Sequence, residues 1–505
     1  MEKIEKQNAI TLISLTITVI VLIILAGVSF SVIVGENGMI KNAIRSKEEH
    51  ETAEAIETVQ KKVYAYEEAL EKENITIEDF FESKYNEKIV KSKDNRYILT
   101  SENRIFYIDL KTDEVSLVDR WNGNTSDEFA KEEGTESNPF IIRNAEELSA
   151  FQKYVNEGND CAGKYVMLAD DIVLNQYVNI DKVDKSLLKN FEPINGFKGT
   201  FDGNNYTIYG LYIESTKSNV GFFSTTSGAQ IKNLNISGAY VKGASNVGGV
   251  VGNGLATISN CSMEGKIVGT GSYVGGFVGT PSSEGGLKVQ NCINYAEVNG
   301  NATGTGGITG RGVRGTDILK CGNEGKVNGK NDCGGIMGTT YNWPTVKQCY
   351  NKGEVKGTYS VGGICGYAQA SIENNYNTGN VICSSTYAGG ITGRLNAGAW
   401  EKHINCYSTG TVIGTTNIGT LLGNLAGNNV KLFWYNLANN QNLTELSENL
   451  NKATGSVNNA DVEGKAEEIT EEQLLSASFW RSNSYSESIW YLRDGYNPIL
   501  KWEIE

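Results

Sequence analysis

The chain has 505 residues, more than one average domain, so several domains or one long repeat array are expected. It holds 58 Gly against 5 Pro, with 25 Tyr and a formal net charge of −14; this favours β-structure with many tight turns and argues against a nucleic-acid partner, which needs a basic face. Nine cysteines without a CxxC pair exclude a disulfide-stapled small domain, and His50 and His403 are too far apart for a zincin helix, so no metal or other cofactor is expected.

Residues 1–35 read as a leader and membrane segment. Ala9–Val34, "AITLISLTITVIVLIILAGVSFSVIV", carries no charge. As a helix it reaches about 39 Å, more than the ~30 Å hydrocarbon layer. That is longer than the apolar part of a cleaved secretory signal, so a retained single-pass anchor is expected. Lys3 and Lys6 precede it and Lys41, Arg45 and Lys47 follow it, so charge alone leaves the orientation open. "NAITLIS" before a long apolar helix resembles the start of type IV pilin-like proteins. The resemblance implies leader cleavage between Ala9 and Ile10 and an extracytoplasmic bulk. The chain departs from that family in having Ala9 where Gly is usual and Ser14 where Glu is usual. That glutamate is implicated in subunit assembly, so the resemblance implies membrane insertion more than polymerisation.

Residues 36–73 form an amphipathic stretch, with Ile44, Ile56, Val59, Val63, Tyr64 and Leu70 near helical periods, and read as a stalk helix. Residues 74–119 read as a small α/β module. "TIED" from Thr76 is a capping-box pattern, and "RYILT" and "RIFYIDL" form a hairpin. Residues 120–138, polar and poor in aliphatics, read as a linker.

A glycine motif then recurs: "VGGVVG" at 247, "VGGFVG" at 274, "TGGITG" at 305, "CGGIMG" at 333, "VGGICG" at 361 and "AGGITG" at 388, with degenerate copies at 220 and 418. Its first glycines are spaced by 27, 27, 31, 28, 28, 27 and 30 residues. With it travel an "NC" strand (Cys261, Cys292, Cys321, Cys349, Cys406, with Asn375 in the coil that lacks Cys) and a "G-x-V" strand. Such a period means a solenoid, since a coil of this size cannot bury its inner face alone. Three strand-like pieces per coil predict a right-handed parallel β-helix with coils about 4.8 Å apart. Asparagines near the turns can ladder between coils. The cysteine file reads as inward packing by small apolar residues, because parallel side-chain vectors do not suit disulfides.

Residues 139–505 resemble bacterial surface proteins with the GLUG motif, through the repeat itself, the approach "NPFIIRNAEELSAFQKYVNEG" and the closing "SIWYLRDGYNPILKW". Within them, 139–215 lead into the β-helix, 216–430 are the repeats and 431–505 are a capping region expected to cover the open ends. Residues 435–470, rich in Asn, read as a loop before a helix capped by Thr470 and Gln473.

Catalysis would need converging side chains. Asp170 and Asp171 are neighbours on a strand, so they point to opposite faces, and Asp202 sits in a turn. Glu264, Glu297, Glu324 and Glu354 recur at one place in the coil and read as a solvated edge; Arg311, Arg314 and Arg394 follow glycine motifs and could form a small basic spot. No nucleophile–histidine set is available. The binding lead is aromatic: Tyr273, Tyr341, Trp343, Tyr359, Tyr387 and Trp400 fall in or beside turns, where rings either stack on a glycan or protein ligand or pack on the next coil. The expectation is a membrane-anchored, non-enzymatic surface protein serving adhesion or envelope interaction. The alternatives are a polysaccharide lyase or hydrolase on the same scaffold, and a minor pilin-like subunit. No oligomeric state follows.

Overall fold

The structure is a computed structural model, and it describes residues 39–92, 96–130, 133–180, 183–396, 402–426, 430–434, 457–458 and 466–505. Ala9, Ile10, the expected span Ala9–Val34 and Trp400 lie outside them. Among the described residues no helix is long and apolar enough to cross a membrane. The chain divides into two compact units at Val118/Asp119.

In the first unit the helix Met39–Leu70 is followed by a helix Ile77–Tyr85 and a four-stranded antiparallel sheet of Ile89–Lys91, Tyr97–Ser101, Arg104–Asp109 and Glu114–Leu117. Thr76 caps the second helix by accepting from the Asp79 amide at 3.1 Å. The first helix is more than a stalk. Ala55, Val59, Val63 and Tyr66 form one buried stripe that shares a core with Phe80, Phe81, Leu99 and Phe106. Tyr64 and Leu70, at neighbouring positions on the same helix, are exposed. Two partly buried ion pairs, Arg104–Glu48 at 2.8 Å and Lys62–Glu87 at 2.6 Å, tie the helix to the sheet and its approach.

The second unit is a parallel β-solenoid of about ten turns. One ladder runs through it unbroken: Phe140, Val166, Phe201, Ile231, Ile258, Val289, Ile318, Val346, Ile372, His403 and Val430 pair in succession. The glycine motifs stack as the period requires, with Val247, Val274, Thr305, Cys333, Val361, Ala388 and Ile418 in one column. The number of strands per turn is not constant. An early turn has three, Phe223–Lys232, Asn235–Gly243 and Val247–Gly248, whereas a later one has four, Asp317–Asn323, Val327–Asn328, Asn331–Gly334 and Met337–Thr340. The long first strand is split by short turn inserts, such as 313–316 and 341–344, which lengthen the wall without disturbing the ladder.

The glycine pair has a steric cause. A Cβ on the second glycine would lie 2.5 Å from the Asn294 amide oxygen at Gly276, 2.4 Å from Asn323 at Gly307, 2.3 Å from Asn351 at Gly335 and 2.3 Å from Asn377 at Gly363. These asparagines form their own column, following Ile236 and Met263 and ending at Ser408. All four are fully buried. Each Nδ2 donates to the next rung, at 2.8 Å from Asn294 to Asn323, 2.7 Å on to Asn351, 2.7 Å on to Asn377 and 3.3 Å to Ser408. Each also donates to the carbonyl two residues ahead. The wall therefore pinches inward onto a polar seam. Beyond it the later turns bury a separate apolar core of Val327, Val355, Val361, Val381 and Ala388. A second, more exposed asparagine ladder, Asn233–Asn260–Asn291, runs along positions with φ near +53°.

All nine cysteines are free and buried. In the file, the Sγ of Cys261, Cys292, Cys321, Cys349 and Cys406 donates to the carbonyl two residues back. Asn375 replaces the thiol and donates to Val346 O at 2.9 Å, while its Oδ1 accepts the Cys349 amide. Burial pushes the Cys406 thiol up to about 12, and the file packs as small hydrophobes.

His403 occupies the aliphatic ladder, is fully buried, and neither ring nitrogen completes a hydrogen bond of ordinary geometry. Burial lowers its pKa from 6.5 to about 4. Between those values the unfolded chain takes up a proton that the folded chain refuses, so stability falls as pH falls through that window. The loss is about 3 kcal/mol by pH 4. His403→Leu is expected to flatten this slope, measured as the difference between variant and wild type in urea unfolding from pH 7 to pH 4.

Both edges of the unit are furnished locally. Residues 120–138 are not a free linker: Trp121 and Phe129 are buried, and Phe129 packs edge-on against Phe140 and Phe151. Two aromatics supply the burial that the low aliphatic content conceals. The helix Ala145–Asn156, capped by Asn144, lays Phe151 against Phe197 and Phe201. The closing segment covers a side of the solenoid, not only an end. Tyr350, Tyr376 and Tyr407 stack in one column, and Trp480, Trp490 and Trp502 pack onto them. Trp502 Nε1 donates to Gln348 O at 2.9 Å and Tyr376 OH to Glu503 at 2.8 Å. The Thr470 and Gln473 capping box is formed.

Candidate functional site: a tyrosine and arginine strip

Two positions of the glycine motif build the site. The residue before the column of Val247 has positive φ in every turn: Asn246, Tyr273, Gly304, Asp332, Ser360, Tyr387 and Asn417. Asparagine and glycine adopt this conformation readily, but Tyr273 at +64° and Tyr387 at +69° are strained, and such outliers gather at functional sites. The second position follows the third glycine, where Arg311, Thr339, Tyr367, Arg394 and Asn424 pair rung to rung. The third glycine is required because a Cβ on Gly310 would lie 2.4 Å from Val274 N and 2.6 Å from Tyr273 C, which holds the two positions side by side.

The side chains join into one strip. Arg311 lies between two rings, 5.2 Å from Tyr273 and 5.1 Å from Tyr341. Tyr341 leads to Tyr367 at 6.3 Å. Arg394 again lies between two rings, 5.4 Å from Tyr367 and 5.7 Å from Tyr387, and Tyr387 meets Tyr359 edge-on at 5.3 Å. From Tyr273 to Tyr387 the strip climbs four rungs, roughly 19 Å. Trp343, 53 % exposed, stands beside it with Arg314 at 5.2 Å, and Arg314 in turn faces Glu284 at 3.8 Å.

Neither arginine of the strip forms a direct ion pair among the described residues, although Asp332 lies near Arg394. Arg311 and Arg394 have no carboxylate within ion-pair distance among the described residues, and the Nε of each is buried without a hydrogen bond. The hydroxyls of Thr339 and Ser360, fully buried between the two arginines, likewise complete no bond of normal length. Both lie near Asp332. Burial pushes the Asp332 carboxyl up to about 6, while Thr339, Arg394 and Ser360 pull the other way.

Five of the six aromatics singled out in the sequence are described. Tyr273, Tyr341, Tyr359 and Tyr387 are in the strip and Trp343 flanks it; Tyr273, Tyr359 and Tyr387 are half-buried, and Tyr341 is 38 % exposed. Arg311 and Arg394 belong to it, and Arg314 sits at its margin. Tyr367 and Asp332 were missed, although the motif alignment places Tyr367 with Arg311 and Arg394, and Asp332 with Tyr273 and Tyr387.

The carboxylates stay dispersed. Asp171 accepts the Thr207 amide at 2.7 Å, and Asp202 closes its turn through the Asn204 amide at 2.8 Å. Glu264 accepts from Ser237, Glu297 faces Lys266 and Glu324 accepts from Tyr350. Glu264, Lys266, Tyr295 and Glu297 border a cavity of about 280 Å³. Among the described residues no three His, Cys, Asp or Glu side chains gather as a metal site would require.

Fold and strip together define a parallel β-solenoid protein with an aromatic and cationic wall. No family profile matches the chain. Over 134 residues it is 34 % identical to a "Putative Gly-rich membrane protein" of Evansella cellulosilytica, covering 25 % of this chain and 14 % of that one. The chain thus spans about a seventh of that relative's length. Among solved structures it is similar to one described as a "putative immunoglobulin A1 protease" from Bacteroides ovatus, with 20 % identity, a TM-score of 0.43, and coverage of 74 % of this chain and 95 % of that one.

Proposed function

We propose that the chain is a membrane-anchored extracytoplasmic protein whose solenoid, wound right-handed as parallel crossovers are, binds a surface ligand without catalysing its conversion. The observation that carries this reading is the continuous strip from Tyr273 to Tyr387, where strained tyrosines and unpaired arginine edges line one wall. The uncharged run Ala9–Val34, the resemblance to pilin-like and GLUG-type surface proteins, and the likeness to a Gly-rich membrane protein support the anchoring.

The test has two parts. Protease shaving of intact cells is expected to release solenoid peptides while the N-terminal segment stays with the membrane. Tyr341→Ala with Trp343→Ala, both at exposed rings, is expected to lower adherence of displaying cells roughly tenfold, equivalent to about 1.4 kcal/mol, with unchanged thermal unfolding. Full adherence by the double variant, or solenoid protected in intact cells, refutes the reading.

A further inference from the structure

Resting on that surface-binding reading, we infer that the strip recognises a linear, carboxylate-bearing polysaccharide, with Arg311 and Arg394 each taking an acid group and the tyrosine rings supporting the sugar faces between them.

Tyrosine occupies the faces of both guanidinium groups, so only their N–H edges are left for a ligand. Those edges match a planar carboxylate in a two-pronged hydrogen bond. Each Nε is buried without a partner, and a donor left so is costly unless something accepts from it. Arg311 and Arg394 lie three rungs apart, roughly 14 Å along the axis. A small anion cannot span that distance, but a polymer with repeated acid groups can.

The backbone favours a glycan over an acidic peptide. Main-chain groups of the strip are already committed to the parallel ladders on either side, so a peptide would find no strand edge to extend. A polysaccharide needs none. The chain's net charge of −14 also disfavours any polyanion that does not engage these arginines specifically.

Asp332 makes the site sensitive to acid. Its carboxyl faces Arg394, the hydroxyls of Thr339 and Ser360, and the Tyr341 and Tyr359 rings. Above about pH 6 it is charged and repels a carboxylate ligand; below it the proton removes that repulsion while a uronate stays ionised. Binding therefore strengthens as pH falls.

The experiment measures binding of the full-length chain, in mild detergent, to polygalacturonate, its neutral methyl ester, polyglutamate and polyglycerol phosphate. The expected result is binding to polygalacturonate alone, weakening with salt and tightening severalfold from pH 7.5 to pH 5. Arg311→Gln with Arg394→Gln is expected to weaken it more than tenfold, and Arg311→Lys with Arg394→Lys to recover only part of the loss. Asp332→Asn is expected to bind at pH 7.5 as the wild type does at pH 5. Thermal unfolding of each variant identifies any loss that comes from misfolding. Equal binding of the methyl ester, of polyglutamate or of the phosphate polymer overturns the inference, as does a folded lysine double variant with wild-type affinity. If Tyr341→Ala with Trp343→Ala abolishes adherence while no uronate polymer binds, the inference fails and the surface-binding reading stands.

Discussion

Gly335→Val is expected to destabilise the solenoid by about 4 kcal/mol or more, among the largest effects a single substitution produces. A Cβ there would lie 2.2 Å from Gly363 O and 2.3 Å from the Asn351 amide carbon. Neither can retreat, since the first belongs to the next turn's backbone and the second is hydrogen-bonded on both sides. Gly285→Ala provides the contrast. That glycine has φ of +80° and open space around its Cβ position, so its substitution costs only the conformational penalty of about 1 kcal/mol. Urea unfolding followed by circular dichroism ranks the two. Similar midpoints for both variants would show that the wall does not press on the asparagine seam.

Asn351→Ala is expected to cost roughly 4 kcal/mol, because two neighbours lose their partners at once. The Nδ2 of Asn323 loses its acceptor in the next turn, and the Oδ1 of Asn377 loses its donor. Both are fully buried, so water cannot replace the missing bonds without entering the seam. Asn260→Ala, in the exposed ladder, removes similar amide bonds where water can substitute, and is expected to cost about 2 kcal/mol, half of it for alanine at positive φ. Hydrogen exchange resolved by turn is the suitable readout, since a stacked array opens locally. Protection lost equally in both variants would refute the distinction.

The spacing of the glycine motif carried the column of Val247, Val274 and Val361, and with it the parallel solenoid, because every turn must bury the same positions against its neighbours. Asparagine ladders were legible as a kind of contact. That Asn294, Asn323, Asn351 and Asn377 lie inside was not, because the chain carries asparagines at both inner and outer corners and composition does not separate them. The Tyr350 column carries no mark in its local sequence, because the Trp480, Trp490 and Trp502 rings that cover it come from more than seventy residues further along. The first helix failed as a simple stalk for a related reason. Its apolar stripe was visible, and so was the hairpin of "RYILT" and "RIFYIDL", but that the one packs on the other depends on a contact distant along the chain. At the candidate site the exposed rings were legible singly. Their union through Arg311 and Arg394 depends on neighbouring turns, which no window of one turn contains.

The tyrosine pile against the closing segment bears on how the molecule matures. Residues 350, 376 and 407 emerge from the ribosome well before the tryptophans that roof them, so for a time three rings stand bare to whatever surrounds the nascent chain. A polypeptide halted in that interval would display a greasy flank at its most recently wound turns, a ready signal for chaperones and proteases. Only the arrival of Trp480, Trp490 and Trp502 takes those rings out of water.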